Sequence, residues 1–272
     1  MSAQGPSSPF AGTARKRDLW WQFTVRAVEA RYRGSSLGIL WALLNPLLML
    51  GIYYVVFGLI FSGHFRDPAI ENKADYAMTM FLGLTLYMLL ADTLGTAPLA
   101  IVGNANLVKK VVFPLEILPL SQAGGLWFNL AIGLVLALGG AALFGSGVSL
   151  GGLLWLPVIL LPLLMLSAGL SWMFAALGVF FRDLAQAMPF VAQVLLYSSA
   201  VFYPVSRLTG PLWMVLKWNP FLHTVVLARE VVLWGMPINT GHLAYTYAAG
   251  FAMLAAGRWV FTRLRPAFAD VV

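Results

Sequence analysis

The chain has 272 residues, 60% of them hydrophobic and 10% charged, with a formal charge of +7 and no cysteine. A soluble domain carries about 25% charged residues, so there is too little polar surface to face water on all sides, and the bilayer is the natural solvent. The missing cysteines exclude disulfides, thiolate nucleophiles and Cys-ligated metals; the excess positive charge lies mostly at the ends and in short connections, where it sets membrane orientation rather than a nucleic-acid surface.

Residues 1–17 are rich in Pro, Gly and Ser and lack the apolar stretch and small-residue cleavage site of a signal peptide, which predicts a flexible tail. Residues 18–34 place Leu19, Trp20, Phe23, Ala27 and Ala30 at helical spacing, with Arg26, Glu29 and Arg33 elsewhere. That pattern predicts a basic amphipathic helix in the interface plane, either a plain anchor for the first span or a more active element. Residues 35–265 hold six apolar runs, near 37–61, 76–98, 120–144, 153–180, 188–203 and 241–262, each a candidate transmembrane helix, the fifth of them short. Pro46 interrupts the first run and predicts a kink. Between the fifth and sixth runs the chain is too apolar for a solvated loop, yet Pro211, Pro220 and Pro237 break it. Two short helices dipping into the membrane, near 209–218 and 221–234, fit better than a seventh crossing. Residues 266–272 form a second tail.

The fold class is therefore an all-α integral membrane protein with six spans. Six spans put both termini on one side. Twelve of the seventeen Lys and Arg residues, including Lys109, Lys110 and Arg182, then fall on that side, and Arg66, Lys73, Arg207, Lys217 and Arg229 on the other. The positive-inside bias makes the first side cytoplasmic.

No G-x-x-x-x-G-K-[ST] phosphate loop and no H-E-x-x-H motif is present. His64, His223 and His242 are scattered over predicted external segments and suggest no metal site. Asp92 is the one carboxylate well inside a span, a candidate proton carrier or a structural partner of Thr93, Thr96 or a neighbouring helix. On the cytoplasmic side, Val111, Val112 and Phe113 predict an exposed apolar knob ahead of Pro114 that asks for a partner; the other reading is an anchor whose valines lie in lipid.

Three stretches, "RYRGSSLGILWALLNPLLML" (31–50), "NLVKKVVFPLEILPL" (106–120) and "GVFFRDLAQ" (178–186), resemble the membrane subunit of type-2 ATP-binding-cassette polysaccharide exporters, the O-antigen, teichoic-acid and capsule permeases. The resemblance covers residues 18–265. It implies a homodimer in the bacterial inner membrane, paired with two separate ATPase subunits that hold ATP and Mg, with no cofactor on this chain. It makes the helix at 18–34 the interface helix and the short helices of 209–234 the outer gate. It makes Val108, Lys109, Lys110, Val111 and Phe113 candidate ATPase contacts, with Arg182 and Asp183 at a second cytoplasmic turn. The cargo it implies is a lipid-linked polysaccharide.

Sugars crossing a bilayer need a path that holds hydroxyls without trapping them. Aromatic rings suit this, offering an apolar face and, in Tyr and Trp, a polar edge. Tyr53, Tyr54, Phe57, Tyr87, Tyr197, Phe202 and Tyr203 are the candidate wall, and Trp213 and Trp218 the outer exit; interfacial belt or core packing is the competing reading of each. The rival functions are an ion-gradient-driven carrier or flippase of lipid-linked sugars, which needs no ATPase, and a membrane-embedded transferase.

Overall fold

The computed structural model describes residues 9–60, 63–67, 70–110 and 113–271. Among them every regular element is helical. Helix α1 (Pro9–Tyr32) reaches back into the expected tail and lies against α5 (Ile117–Phe144). Its Trp20 indole donates to the Leu120 carbonyl (3.1 Å) and its Tyr32 hydroxyl to Asn129 (2.9 Å). Gly124 makes the approach close: a Cβ there would strike Thr24. The face expected to rest in the interface plane thus rests partly on protein.

After a turn at Gly34 (φ 86°), the chain rises through α2 (Trp41–Tyr53), which contains Pro46 and widens into a π-helical stretch over Tyr54–Ile60. Helix α3 (Lys73–Thr96) starts on a reciprocal cap between Asn72 and Asp75, satisfying donors that the first turn would leave orphaned. Buried residues fill 78% of the apolar window of α3 and only 11% of that of α2, so α3 is the central post and α2 an outer helix. The short α4 (Ala105–Lys110) leads into α5, and α6 (Leu150–Phe180) follows, capped by Ser149.

Among the described residues four stretches are long and apolar enough to cross a membrane: Gly38–Phe57, Lys73–Leu99, Ile117–Phe144 and Leu150–Phe180. The chain is a multi-pass membrane protein. The other two expected crossings correspond to helices that fall short on one count each. Helix α7 (Leu184–Ser198) has 15 residues, about 22 Å of rise against about 30 Å of hydrocarbon. Helix α10 (Thr240–Leu264) has 25 residues, but His242, Tyr245, Tyr247, Arg258 and Arg263 dilute its hydropathy. It packs lengthwise on α6 through small residues. A Cβ on Gly257 would collide with the Gly169 backbone, and one on Gly250 with the Pro162 carbonyl; such small-residue contacts give helices their van der Waals grip in lipid.

Between α7 and α10 run α8 (Gly210–Leu216) and α9 (Pro220–Leu227), the latter continuing as a π-helical stretch, Ala228–Leu233. The last helix, α11 (Phe268–Val271), sits where a tail was expected. Phe268 is fully buried against Phe261 and Phe180 (ring centroids 5.4 and 6.2 Å apart), which pins the C-terminal segment to the ends of α6 and α10.

Candidate functional site

The aromatic residues of α2 and α7 come together. Tyr53 and Phe57 are 5.8 Å apart, Phe57 stacks on Phe202 at 5.8 Å, and Phe202 meets Tyr197 at 6.2 Å. The Tyr203 hydroxyl donates to the Tyr197 carbonyl. Tyr87 of α3 joins through the apolar cluster that also takes Tyr53, Phe57 and Phe202. Six of the seven candidate path residues therefore form one ladder, half-buried at its base and open at Tyr197, which is 57% exposed. Tyr54 is exposed and, among the described residues, makes none of these ring contacts. It neighbours Tyr53 in sequence, but helical geometry turns it about 100° away.

The corner between α7 and α9 is stitched by Asn219. Its side chain caps α9 at Phe221 and donates to Ser199 Oγ (2.9 Å) at the end of α7. Trp218 is exposed, with Lys217 Nζ over its ring (5.5 Å) and its carbonyl accepting from Tyr245 of α10 (2.6 Å). Trp213 is half-buried on α8. His223 and His242, expected to be scattered, have ring centroids 4.5 Å apart. Among the described residues no group of three or more His, Cys, Asp or Glu is arranged to hold a metal ion.

Arg229, counted among the charges of the outer side, is buried in protein. It is 3% exposed and donates to three backbone carbonyls: Thr79 (3.0 Å), Ala200 (2.7 Å) and Val201 (2.7 Å). Its guanidinium also lies 4.3 Å from the Phe65 ring centroid. Arg229 lies in the π-helical stretch that follows α9; α9 itself is buried from Phe221 to Val225, and both segments pack on α3 and α6. The sequence predicted that this proline-broken run dips into the membrane as short helices, but not that Arg229 would be buried within it.

At the opposite end lie α4 and the α6–α7 turn. Val108 is half-buried against the cluster built on Trp172, Phe261 and Phe268, and Lys109 is exposed. The Lys110 side chain and all of Val111 and Val112 lie outside the described residues. Phe113 is not an exposed knob: its ring packs 5.0 Å from Phe23 of α1. The contact takes apolar ring surface out of water, and a tilted aromatic pair adds about 0.5–1.5 kcal/mol beyond that burial. Phe181, Arg182 and Asp183 are all exposed at their turn.

Three ion pairs join residues that lie 61 to 149 positions apart, too far for any local pattern to name the partners. Arg31 holds Asp92 at 2.7 Å, whereas the Thr93 and Thr96 hydroxyls turn back to backbone carbonyls of their own helix. Glu116, just before α5, accepts from Lys16 of α1 (3.0 Å) and from Arg265 after α10 (3.2 Å), while its carbonyl takes the Trp172 indole of α6 (3.0 Å). One residue thus ties four helices to the segment behind α4.

Burial works to raise the Glu116 carboxyl, but the Lys16 hydrogen bond, its own backbone N–H and the charges of Lys16 and Arg265 outweigh it and hold it below its usual 4.5. A carboxylate depressed on folding stabilises the protein above its unfolded value, and that contribution disappears as pH falls through the folded value, here below about pH 4.5. Glu116→Gln is therefore expected to melt lower than the parent at neutral pH, by no more than about 1 kcal/mol for so exposed a pair. The gap should close on acidification below pH 4.5, and melting curves of both proteins across that interval check it. A gap unchanged at low pH would exclude the ion pair as its source.

The family described as ABC-2 type transporter matches residues 18–233, the stretch from α1 through the end of the π-helical segment after α9. The O-antigen export system permease protein RfbA of Klebsiella pneumoniae is 26% identical over 257 residues, covering 94% of this chain and 95% of its own. The protein of the same name from Myxococcus xanthus is 26% identical over 258 residues, 94% and 96% of the two chains. The polysialic acid transport protein KpsM of Escherichia coli is 26% identical over 233 residues, 85% and 86%. With its central helices, its buried corner and its ladder of rings all inside the matched stretch, this chain belongs to the ABC-2 type transporter family of membrane proteins.

Proposed function

We propose that the chain is the permease subunit of an ATP-driven exporter that moves a lipid-linked polysaccharide, of the O-antigen, teichoic-acid or capsule kind, out of the cytoplasm across the bacterial inner membrane. Two copies form the path between them, and two copies of a separate ATPase, carrying ATP and Mg, drive it. In this reading α7 and α10 are the fifth and sixth crossings, α8 and α9 are re-entrant gate helices, and both termini are cytoplasmic.

The observation that carries the proposal is the ladder Tyr53–Phe57–Phe202–Tyr197, which opens on the least buried side of the helix array. Its ring faces suit the C–H side of a pyranose, and repeated weak sites hold a chain without stopping it. The likeness to relatives named for O-antigen export and polysialic acid transport supports the same cargo class, and the missing phosphate loop supports a separate ATPase. Asp92, on which a gradient-driven carrier would depend, is paired with Arg31 of α1.

Reconstitution with the neighbouring-frame ATPase and lipid-linked glycans tests the reading. Glycan should stimulate ATP turnover, and Phe57→Ala with Phe202→Ala should lower that stimulation about tenfold through two lost stacking faces. Uphill transport by liposomes lacking the ATPase would overturn the proposal.

A further inference from the structure

A pocket of about 490 Å³ opens between the first half of α1, the start of α5 and the last turns of α10. Four cations line it, Lys16, Arg17, Arg258 and Arg265, against the single carboxylate of Glu116. Glu116 engages Lys16 and Arg265. Arg17 and Arg258 have no carboxylate partner among the described residues. The walls beside them are the indoles of Trp20 and Trp172, whose N–H groups are already taken by the Leu120 and Glu116 carbonyls. Arg258 lies 5.9 Å over the Trp172 ring. Beyond the charges, Ile117, Leu120 and Phe261 make the remaining wall apolar.

Three features select the occupant. The surplus of like charge repels itself unless an anion enters. Two arginine forks beside two lysine or arginine heads suit phosphate oxygens better than a carboxylate already present on one side only. The apolar wall continues from the charged floor, which fits an amphiphile and not a small hydrated ion, and tryptophans are the residues that settle at headgroup level. We propose that this pocket seats the phosphate of an anionic phospholipid, with an acyl chain running along the half-buried Leu120 and the Trp20 ring. The lipid bridges α1 to α10 and shares Lys16 and Arg265 with Glu116.

Native mass spectrometry of the full chain in detergent, titrated with phosphatidylglycerol or phosphatidylcholine, tests this. The parent protein should bind phosphatidylglycerol about tenfold more tightly, and Arg17→Gln with Arg258→Gln should erase that preference. Lys217→Gln, at the α8–α9 corner, should keep it. Equal binding of the two lipids by the parent would overturn the proposal without any variant having to fold, as would a preference that survives in a double variant eluting as a single species. Displacement of phosphatidylglycerol by equimolar inorganic phosphate would also overturn it, since the site would then be a small-anion site.

Discussion

Replacing Arg229 with methionine is expected to cost the protein about 3 kcal/mol or more, read as a fall in the melting temperature of the detergent-purified chain. Methionine fills similar volume and removes the charge, yet it leaves the carbonyls of Thr79, Ala200 and Val201 facing a buried space with no donor. Hydrogen bonds to a charged donor are worth about 1.5–3 kcal/mol each, and unpaired buried acceptors bear their full desolvation cost. Two of these carbonyls belong to a strained corner: Ala200 has φ 53°, a left-handed conformation that a Cβ resists. The guanidinium holds that corner to Thr79 in the first third of α3, and Gly83 one turn on leaves room for it, since a Cβ there would strike Nη2. Arg229→Lys keeps the charge but loses the planar fork that reaches three acceptors at once, so it should fall between parent and methionine. An unaltered melting temperature in Arg229→Met would show that water or a rearranged corner satisfies those carbonyls, and the clamp would have to be abandoned.

How much of this was legible depended on distance along the chain. The helices announced themselves by apolar length, so α3, α5 and α6 fall within a few residues of their expected positions. The proline-broken stretch yielded α8 and α9 for the same local reason. The ladder of rings was partly legible because Tyr53 and Phe57 are one turn apart, and so are neighbours on a helix. Their meeting with Phe202 and Tyr197 depends on packing across more than a hundred residues and left no local mark. Glu116 and Arg229 were hidden differently. A charge is read from sequence as a solvated group, because its usual cost in the interior is prohibitive. What reverses that cost is a set of acceptors or donors supplied by segments far apart in the chain, and no window of sequence contains them. Phe113 was misread for the converse reason: an apolar residue beside two lysines looks exposed until α1 covers it.

The placement of Phe113 also decides how the proposed ATPase contact should be probed. Exposed at the same end of the molecule as α4 are Lys109, Arg182 and Asp183. Lys109→Glu with Arg182→Glu reverses two charges that form no ion pair among the described residues, so insertion and melting temperature should stay within about 0.5 kcal/mol of the parent. If these residues meet the ATPase, the double reversal should weaken its co-purification by about tenfold, most visibly at low salt, where opposing charges act over longer distances. Phe113→Asp should behave in the opposite way. It places a carboxylate against Phe23 beneath α1, so it should lower the melting temperature before it touches any partner. The pair of experiments separates a docking surface from a buried brace. Undiminished ATPase retention by the charge-reversed protein, measured at low salt on material that melts like the parent, would remove both residues from the contact and leave coupling to the segment around Val111.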